Sequence, residues 1–366
     1  MIMKKTALYD RHVALGGRMV EYAGWQLPVQ FPTQPVEEHL TVRKAGGLFD
    51  IDHMGQLEVR GPDALAYVQY LVTWNVSKLK MMQAHYAFMC YQDGGVVDDL
   101  FVYRLPERYM LVINGANVEK DYECAKAHTH GFDVEVINLS PDTYMIAFQG
   151  PKAEQVLQRL TAVDLSKLAY HHAAEGEVAG VQTVIGRTGY TGEDGFELFF
   201  PTEKAVQVWD AILEAGKPEG IIPIGLAARD SLRFEPCMPL YGQEIGPDIT
   251  PFQARLGWAV SFDKGDFLGR EALLKVKLEK LPLTLVGFEM IDRGVPRHYY
   301  KIAVDGLICG EVTTGNYCPF LEKYLGLGFV PRGRSKIGTE IEIIIRNKAR
   351  KAKIVKTPFY TPAYRR

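Results

Sequence analysis

The chain of 366 residues sets 42 Lys and Arg against 44 Asp and Glu, and is 47% hydrophobic and 23% charged with a net charge of −2. This length suggests two or three domains with substantial cores, and the near-neutral balance speaks against nucleic-acid binding by the whole chain. No apolar run reaches membrane-spanning length, and the N-terminal MIMKKTALYDRH lacks the apolar stretch of a signal peptide. The five cysteines (90, 124, 237, 309, 318) form no C-x-x-C pair, so scattered thiols in a cytoplasmic protein are expected.

In chain order, Thr6–His12 and the aromatic turn Tyr22-Ala23-Gly24-Trp25 open a first segment that ends near Phe49. Pro35 suits the first turn of a helix, with Glu37 and Glu38 at the positive end of its dipole, and Gly46-Gly47 stops it. Asp50–Gly55 reads as a bend; its His53 has no second His at metal-ligand spacing, and the adjacent His171 and His172 point apart on either a helix or a strand. No metal site is expected. Ala64–Val72 reads as a short helix, and Arg108–Asn114 as a strand. Asn117 suits the N-cap of a helix over Val118–His130. Strands at Phe132–Ile137 and Thr143–Phe148, and a helix at Lys152–Leu160, continue an alternation with short connections. That texture fits α+β layers with antiparallel sheets better than a regular βαβ wind.

Asp93–Arg104, DGGVVDDLFVYR, stands out. Asp93-Gly94-Gly95 reads as a hairpin turn between strands at Tyr86–Tyr91 and Val96–Leu105. Asp98 and Asp99 fall inside the second strand, where acids are disfavoured. Alternation puts Asp99, Phe101 and Tyr103 on one face and Asp98, Leu100 and Val102 on the other, so burying either face buries an acid. The alternative is an edge strand with solvated or Arg-paired acids.

Gly186–Leu198, GRTGYTGEDGFEL, has glycines at 189, 192 and 195 that would let backbone approach a ligand closely. It is neither a P-loop nor a G-x-G-x-x-G fingerprint. Glu197 lies in the strand leaving the loop, and its two acceptors suit a flat pair of N–H donors; a turn with a surface Glu is the alternative. Lys204–Ala215 has a core stripe at helical spacing. A helix at Leu226–Glu235 places Arg229 and Arg233 at i, i+4, suiting a carboxylate or a polarised carbonyl, unless Asp230 or Glu235 pairs with them. Trp258 falls in an expected strand, Leu256–Phe262, and Gly269–Leu278 reads as a helix. From Thr284, short strands between Gly, Pro and Asp turns suggest a small all-β domain with its boundary near 280. The tail from Arg346 to Arg366 has eight Lys or Arg and no acid, reading either as a docking patch or as a solvated edge strand.

Seven stretches in order, AGW (23–25), FDIDHMG (49–55), DGGVVDDLFVYR (93–104), AFQGPKA (147–153), RTGYTGEDGFEL (187–198), GLAARDSLR (225–233) and GEVTTGNYCPFLEK (310–323), resemble the aminomethyltransferases, or T-proteins, of the glycine cleavage system. The resemblance covers essentially the whole chain. It implies a three-domain cloverleaf. Two interleaved α+β subdomains, roughly 1–50 with 140–279 and 51–139, form a folate-binding region over 1–279, and 280–366 form an all-β barrel or jelly roll. It also implies the reaction: tetrahydrofolate, as co-substrate, takes the one-carbon unit from an aminomethyl group on the dihydrolipoyl arm of a partner, the H-protein. The products are 5,10-methylenetetrahydrofolate, ammonia and the reduced arm.

By motif position, Asp99 resembles the family's essential aspartate, Glu197 its pterin anchor, Arg229 a second folate residue and Tyr364 a third. Tyr103 resembles a residue lining the site, with Tyr86, Met54, Asn114, Asn117, Tyr190 and Trp258 as pocket wall. No metal or bound redox cofactor is implied, and neither nucleic acid nor membrane is expected as a partner. A mitochondrial matrix location would follow only for a processed eukaryotic chain. Two departures stand: NYCPFLEK follows GEVTTG where a Ser-Pro-Thr-like sequence is expected, and Asp52 stands where Ser is common. The rival readings are a folate-dependent one-carbon transferase with another donor and a non-catalytic folate-binding scaffold.

Overall fold

The computed structural model describes residues 3–279 and 281–361. Its architecture is mixed α+β followed by an all-β body. A five-stranded antiparallel sheet runs in the order Gln83–Cys90, Val96–Leu105, Arg108–Ile113, Gly55–Arg60, Glu135–Asn138. Helices Ala64–Leu71 and Val118–Ala127 bury apolar faces on one side of it, around Leu57, Tyr67, Leu100 and Leu111. A six-stranded sheet takes Ala173–Val178, Val181–Gly186, Gly195–Pro201, Thr143–Gln149, Gly47–Asp50 and Ile222–Pro223 in that order, with only the last pairing parallel. Helix Ala205–Gly216 seals it with Ala205, Val208, Trp209 and Ile212, the stripe its spacing predicts. The aromatic turn closes a hairpin in a three-stranded sheet, with Tyr22 opposite Trp25.

A third core lies between the two large sheets. Tyr103, Leu105, Met110 and Val112 from one meet Phe49, Met145, Ala147 and Phe199 from the other, with Ala228 and Leu232 of helix Leu226–Phe234. A cavity opens at the edge of this seam.

From Leu283, six antiparallel strands close into a barrel around Phe288, Ile302, Val312 and Ile343. Closure corrects the edge-strand reading of the basic tail. Lys348–Val355 pairs with both Leu283–Met290 and Glu340–Ile345, so its lysines guard no open edge. Phe234 packs among Leu285, Leu325 and Leu327 and so docks the barrel on the helix. Three other expectations shift. The helix expected over Lys152–Leu160 contracts to Ala153–Leu157. Leu256–Phe262 is not a strand: Arg255 takes φ of +61° and Gly257–Ala259 forms a 3-10 turn. The helix after Asn117 stops at Ala127. Among the described residues no helix is long and apolar enough to cross a membrane.

Candidate functional site

The acid pair sits beside a β-bulge. Cys90 pairs with Val96 and Met89 with Asp98, which leaves Val97 as the extra residue on its strand. A bulge re-aims the side chains next to it. The pairing of this strand with Arg108–Ile113 ends at Phe101 and Val112, so the acids lie beyond the ladder and face the turn at Asn114.

Asp98 is fully buried and accepts three bonds: 2.9 Å from the Asn114 N–H, 3.0 Å from Asn114 Nδ2 and 2.6 Å from Asn117 Nδ2. Asp99 accepts from Asn114 Nδ2 at 2.7 Å and from Tyr86 Oη at 3.0 Å. Burial, then the charge on Asp98, pushes Asp99 up to about 7, against the opposing bonds from Tyr86 and Asn114. Behind Asp98 lies Asp121, fully buried, with Lys120 Nζ 3.7 Å from its Oδ1. Burial first, then Asp98, pushes Asp121 up to about 11, so it stays a neutral acid beside a carboxylate.

Glu197 leaves the Gly-rich loop on the strand Gly195–Pro201. Its Oε2 accepts from Thr188 Oγ1 at 2.5 Å. Burial raises its pKa, while Thr188, Arg229 and Tyr103 pull it back. The Arg229 guanidinium makes no hydrogen bond among the described residues and lies 4.7 Å from the Tyr190 ring centroid. Arg233, one turn on, is committed elsewhere: it binds Asp230, Glu244, Gln243 and Thr314 at 2.8, 2.9, 3.0 and 3.1 Å. The expected salt-bridge reading therefore describes Arg233, and the open cation is Arg229. Burial, then Arg229, pushes His53 down to about 3, so it remains neutral.

Asp99, Glu197 and Arg229 line one cavity of about 420 Å³. Of the residues singled out in the sequence, Met54, Tyr86, Asp99, Asn114, Tyr190, Glu197, Arg229 and Trp258 lie in its wall. Trp258 is 60% exposed at the rim, its ring 5.5 Å from that of Tyr86.

Two residues lie behind the wall. Tyr103 is fully buried between the sheets, its hydroxyl 2.6 Å from Thr188 Oγ1 and close enough to Glu197 to bear on its charge, because the strand dives into the shared core after Phe101. Asn117 stands at the predicted N-cap position but makes no cap bond; its amide is spent on Asp98. Tyr364 lies outside the described residues.

The glycines of the loop also make room for neighbouring side chains, while Gly189 itself lines the cavity. A side chain at 189 would strike Gln149, and one at 192 would strike Pro236, so the space they leave is filled mostly by protein. Residues not anticipated in the wall include Tyr170, His171 and Cys237. The Tyr170 and His171 rings stack at 4.0 Å, and Phe101 meets His171 edge-on at 5.2 Å. Phe101 could have been found, since it shares the Asp99 face. Tyr170 and His171 carry no periodic signal. Among the described residues no group of three or more His, Cys, Asp or Glu could hold a metal ion.

The GCVT N-terminal domain matches residues 8–264 and the glycine cleavage T-protein C-terminal barrel domain residues 284–361. The chain belongs to the glycine cleavage T-protein family. It is 50% identical to an aminomethyltransferase of Anoxybacillus flavithermus, over 98% of this chain and 99% of that one. It is also 50% identical to one of Symbiobacterium thermophilum, over 100% and 99%. The crystal structure of glycine cleavage system aminomethyltransferase T from Bartonella henselae superposes with a TM-score of 0.92 at 33% identity, over 98% of both chains.

Proposed function

We infer that this cavity is the reaction chamber of a tetrahydrofolate-dependent aminomethyltransferase of the glycine cleavage system. The observation that carries the assignment to this cavity is that Asp99, Glu197 and an uncommitted Arg229 open on the same space in a member of this family. The reaction moves the methylene carbon of an aminomethyl group, carried on the dihydrolipoyl arm of the H-protein, to tetrahydrofolate and releases ammonia.

The donor set fits a folate. Glu197 keeps one oxygen, Oε1, without a hydrogen bond among the described residues, and a carboxylate oxygen there accepts from the amino and ring N–H edge of a pterin. Arg229, half-buried beside it, balances that charge and offers donors to a carbonyl or carboxylate. Asp99 faces the reacting nitrogens. Fixed by Tyr86 and Asn114, it stabilises positive charge that develops there and, with a pKa of about 7, takes up a proton near neutral pH. Met54, Tyr86, Tyr190 and Trp258 supply apolar and aromatic wall that excludes water.

All wall residues fall between Ile51 and Trp258. That agrees with a catalytic region over 1–279, built of interleaved parts 1–50 with 140–279 and 51–139, and a separate C-terminal domain over 280–366. Five free cysteines suit a reducing compartment such as the cytoplasm.

The deciding experiment mixes purified protein with tetrahydrofolate and aminomethyl-loaded H-protein, and follows ammonia and methylenetetrahydrofolate together. Matched release of both, lost in Asp99→Asn, is expected. Folate binding without release would point to another one-carbon donor or to a binding scaffold.

A further inference from the structure

Thr188 carries one hydroxyl proton and two neighbours compete for it. Its Oγ1 lies 2.5 Å from Glu197 Oε2 and 2.6 Å from Tyr103 Oη. An ionised carboxylate only accepts, so the Thr188 proton must go to Glu197, and Thr188 must then accept from Tyr103. Tyr103 can supply that proton at every working pH, because burial, then the Glu197 charge, holds its phenol well above the usual range. The chain has space made for it: a side chain at Gly186 would sit 2.7 Å from Tyr103 Oη and 3.2 Å from Thr188 Oγ1. Thr188 and Tyr103 are 1% and 0% exposed, so no water competes for these bonds.

We propose that Tyr103 and Thr188 form a directed hydrogen-bond relay that ends on Glu197, holds this carboxylate ionised and leaves its Oε1 as the acceptor for the ligand's N–H edge. Thr188 and Tyr103 are positioning residues: neither lines the cavity. Tyr103 shares its strand with Asp99, so the same element carries the acid and supports the anchor. The groups that face Glu197 and bear on its charge are Arg229 of helix Leu226–Phe234, Thr188 of the loop and Tyr103 of the opposing sheet. The ligand part of this inference rests on the folate reading; the control of Glu197 ionisation does not.

Two measurements on the full chain separate them. Carboxyl-carbon NMR of Glu-labelled protein, with Glu197→Gln to assign the signal, reads the ionisation of Glu197 without ligand. Calorimetric titration with tetrahydrofolate across pH reads binding. In Thr188→Val the Glu197 midpoint moves up. Tetrahydrofolate affinity falls roughly tenfold at neutral pH, for the loss of one charge-assisted bond, and recovers as pH rises. Thr188→Ser, which keeps the hydroxyl, restores both. Tyr103→Phe moves both in the same direction by less, since the Thr188 bond survives. An unmoved midpoint in Thr188→Val overturns the relay. So does a loss of affinity that is independent of pH and shared by Thr188→Ser, because that marks a purely structural role. A wild type that shows the Glu197 midpoint shifting as expected but binds no tetrahydrofolate overturns the folate reading and leaves the relay standing.

Discussion

Two half-buried carboxylates, Glu197 and Asp99, line the chamber, and they are furnished in opposite ways. Glu197 faces a cation, Arg229, and a hydroxyl that donates to it, both of which favour its charge. Asp99 has a second acid, Asp98, as its neighbour and is pushed up to about 7. Burial alone would raise both acids; the neighbours decide what each is for. Around Glu197 the neighbours oppose the rise that burial causes; around Asp99 the neighbouring acid adds to it.

The comparison breaks most visibly at Asp99. Asp99→Asn should lower kcat by about 10²- to 10⁴-fold, the usual worth of one acid–base group, with folate affinity largely retained; coupled release of ammonia and methylenetetrahydrofolate measures this. The same variant gives a stability test. The raised pKa means that the folded state holds the Asp99 proton more tightly than the unfolded chain, so its contribution is full below about pH 4 and lost as pH rises through about 7. The Asn variant should therefore gain on the wild type in melting temperature over that interval.

Next in size, Glu197→Ala should weaken tetrahydrofolate binding by roughly 10- to 100-fold, as expected for bonds to a charged acceptor. Calorimetry would detect this, and retained affinity would place the pterin elsewhere. Smaller still, Asp98→Asn removes the like charge. The acid limb of the kcat profile, expected near pH 7 from the raised Asp99 carboxyl, should move down by about one unit, while the melting temperature falls because an amide cannot accept all three donors. The smallest effect belongs to Asp121→Asn. Because Asp121 is already a neutral acid, this profile should not move. A downward move would mean that Asp121 carries charge and helps to raise Asp99.

What was legible in the sequence was what short-range pattern encodes. The strand Val96–Leu105, the helix beginning at Pro35 and the stripe of Ala205–Gly216 follow from alternation, spacing and stop signals. The acid pair was legible because charge inside a strand breaks a rule. Contacts between distant segments were not. Asn117 has the right identity and position for a cap, yet Asp98, nineteen residues away and buried, outcompetes the helix end for its amide. Tyr103 shares the Asp99 face as alternation requires, but the docking of a second sheet turns that stretch of face from wall into core. Trp258 lies in the cavity wall but not in the expected strand, because aromatic and apolar residues fit a 3-10 turn as readily once a backbone like that of Arg255 reverses the chain.

The chamber is walled by side chains that run from Ile51 to Trp258 and meet only where the two sheets dock. No contiguous piece of the chain contains a usable fraction of it. In folding terms the site is therefore a late product: each sheet can close its own hairpins early, but the acid and its opposite anchor come face to face only after contacts of large sequence separation have formed. A chain that has made all its secondary structure and not yet joined its sheets has every residue of the wall and no chamber.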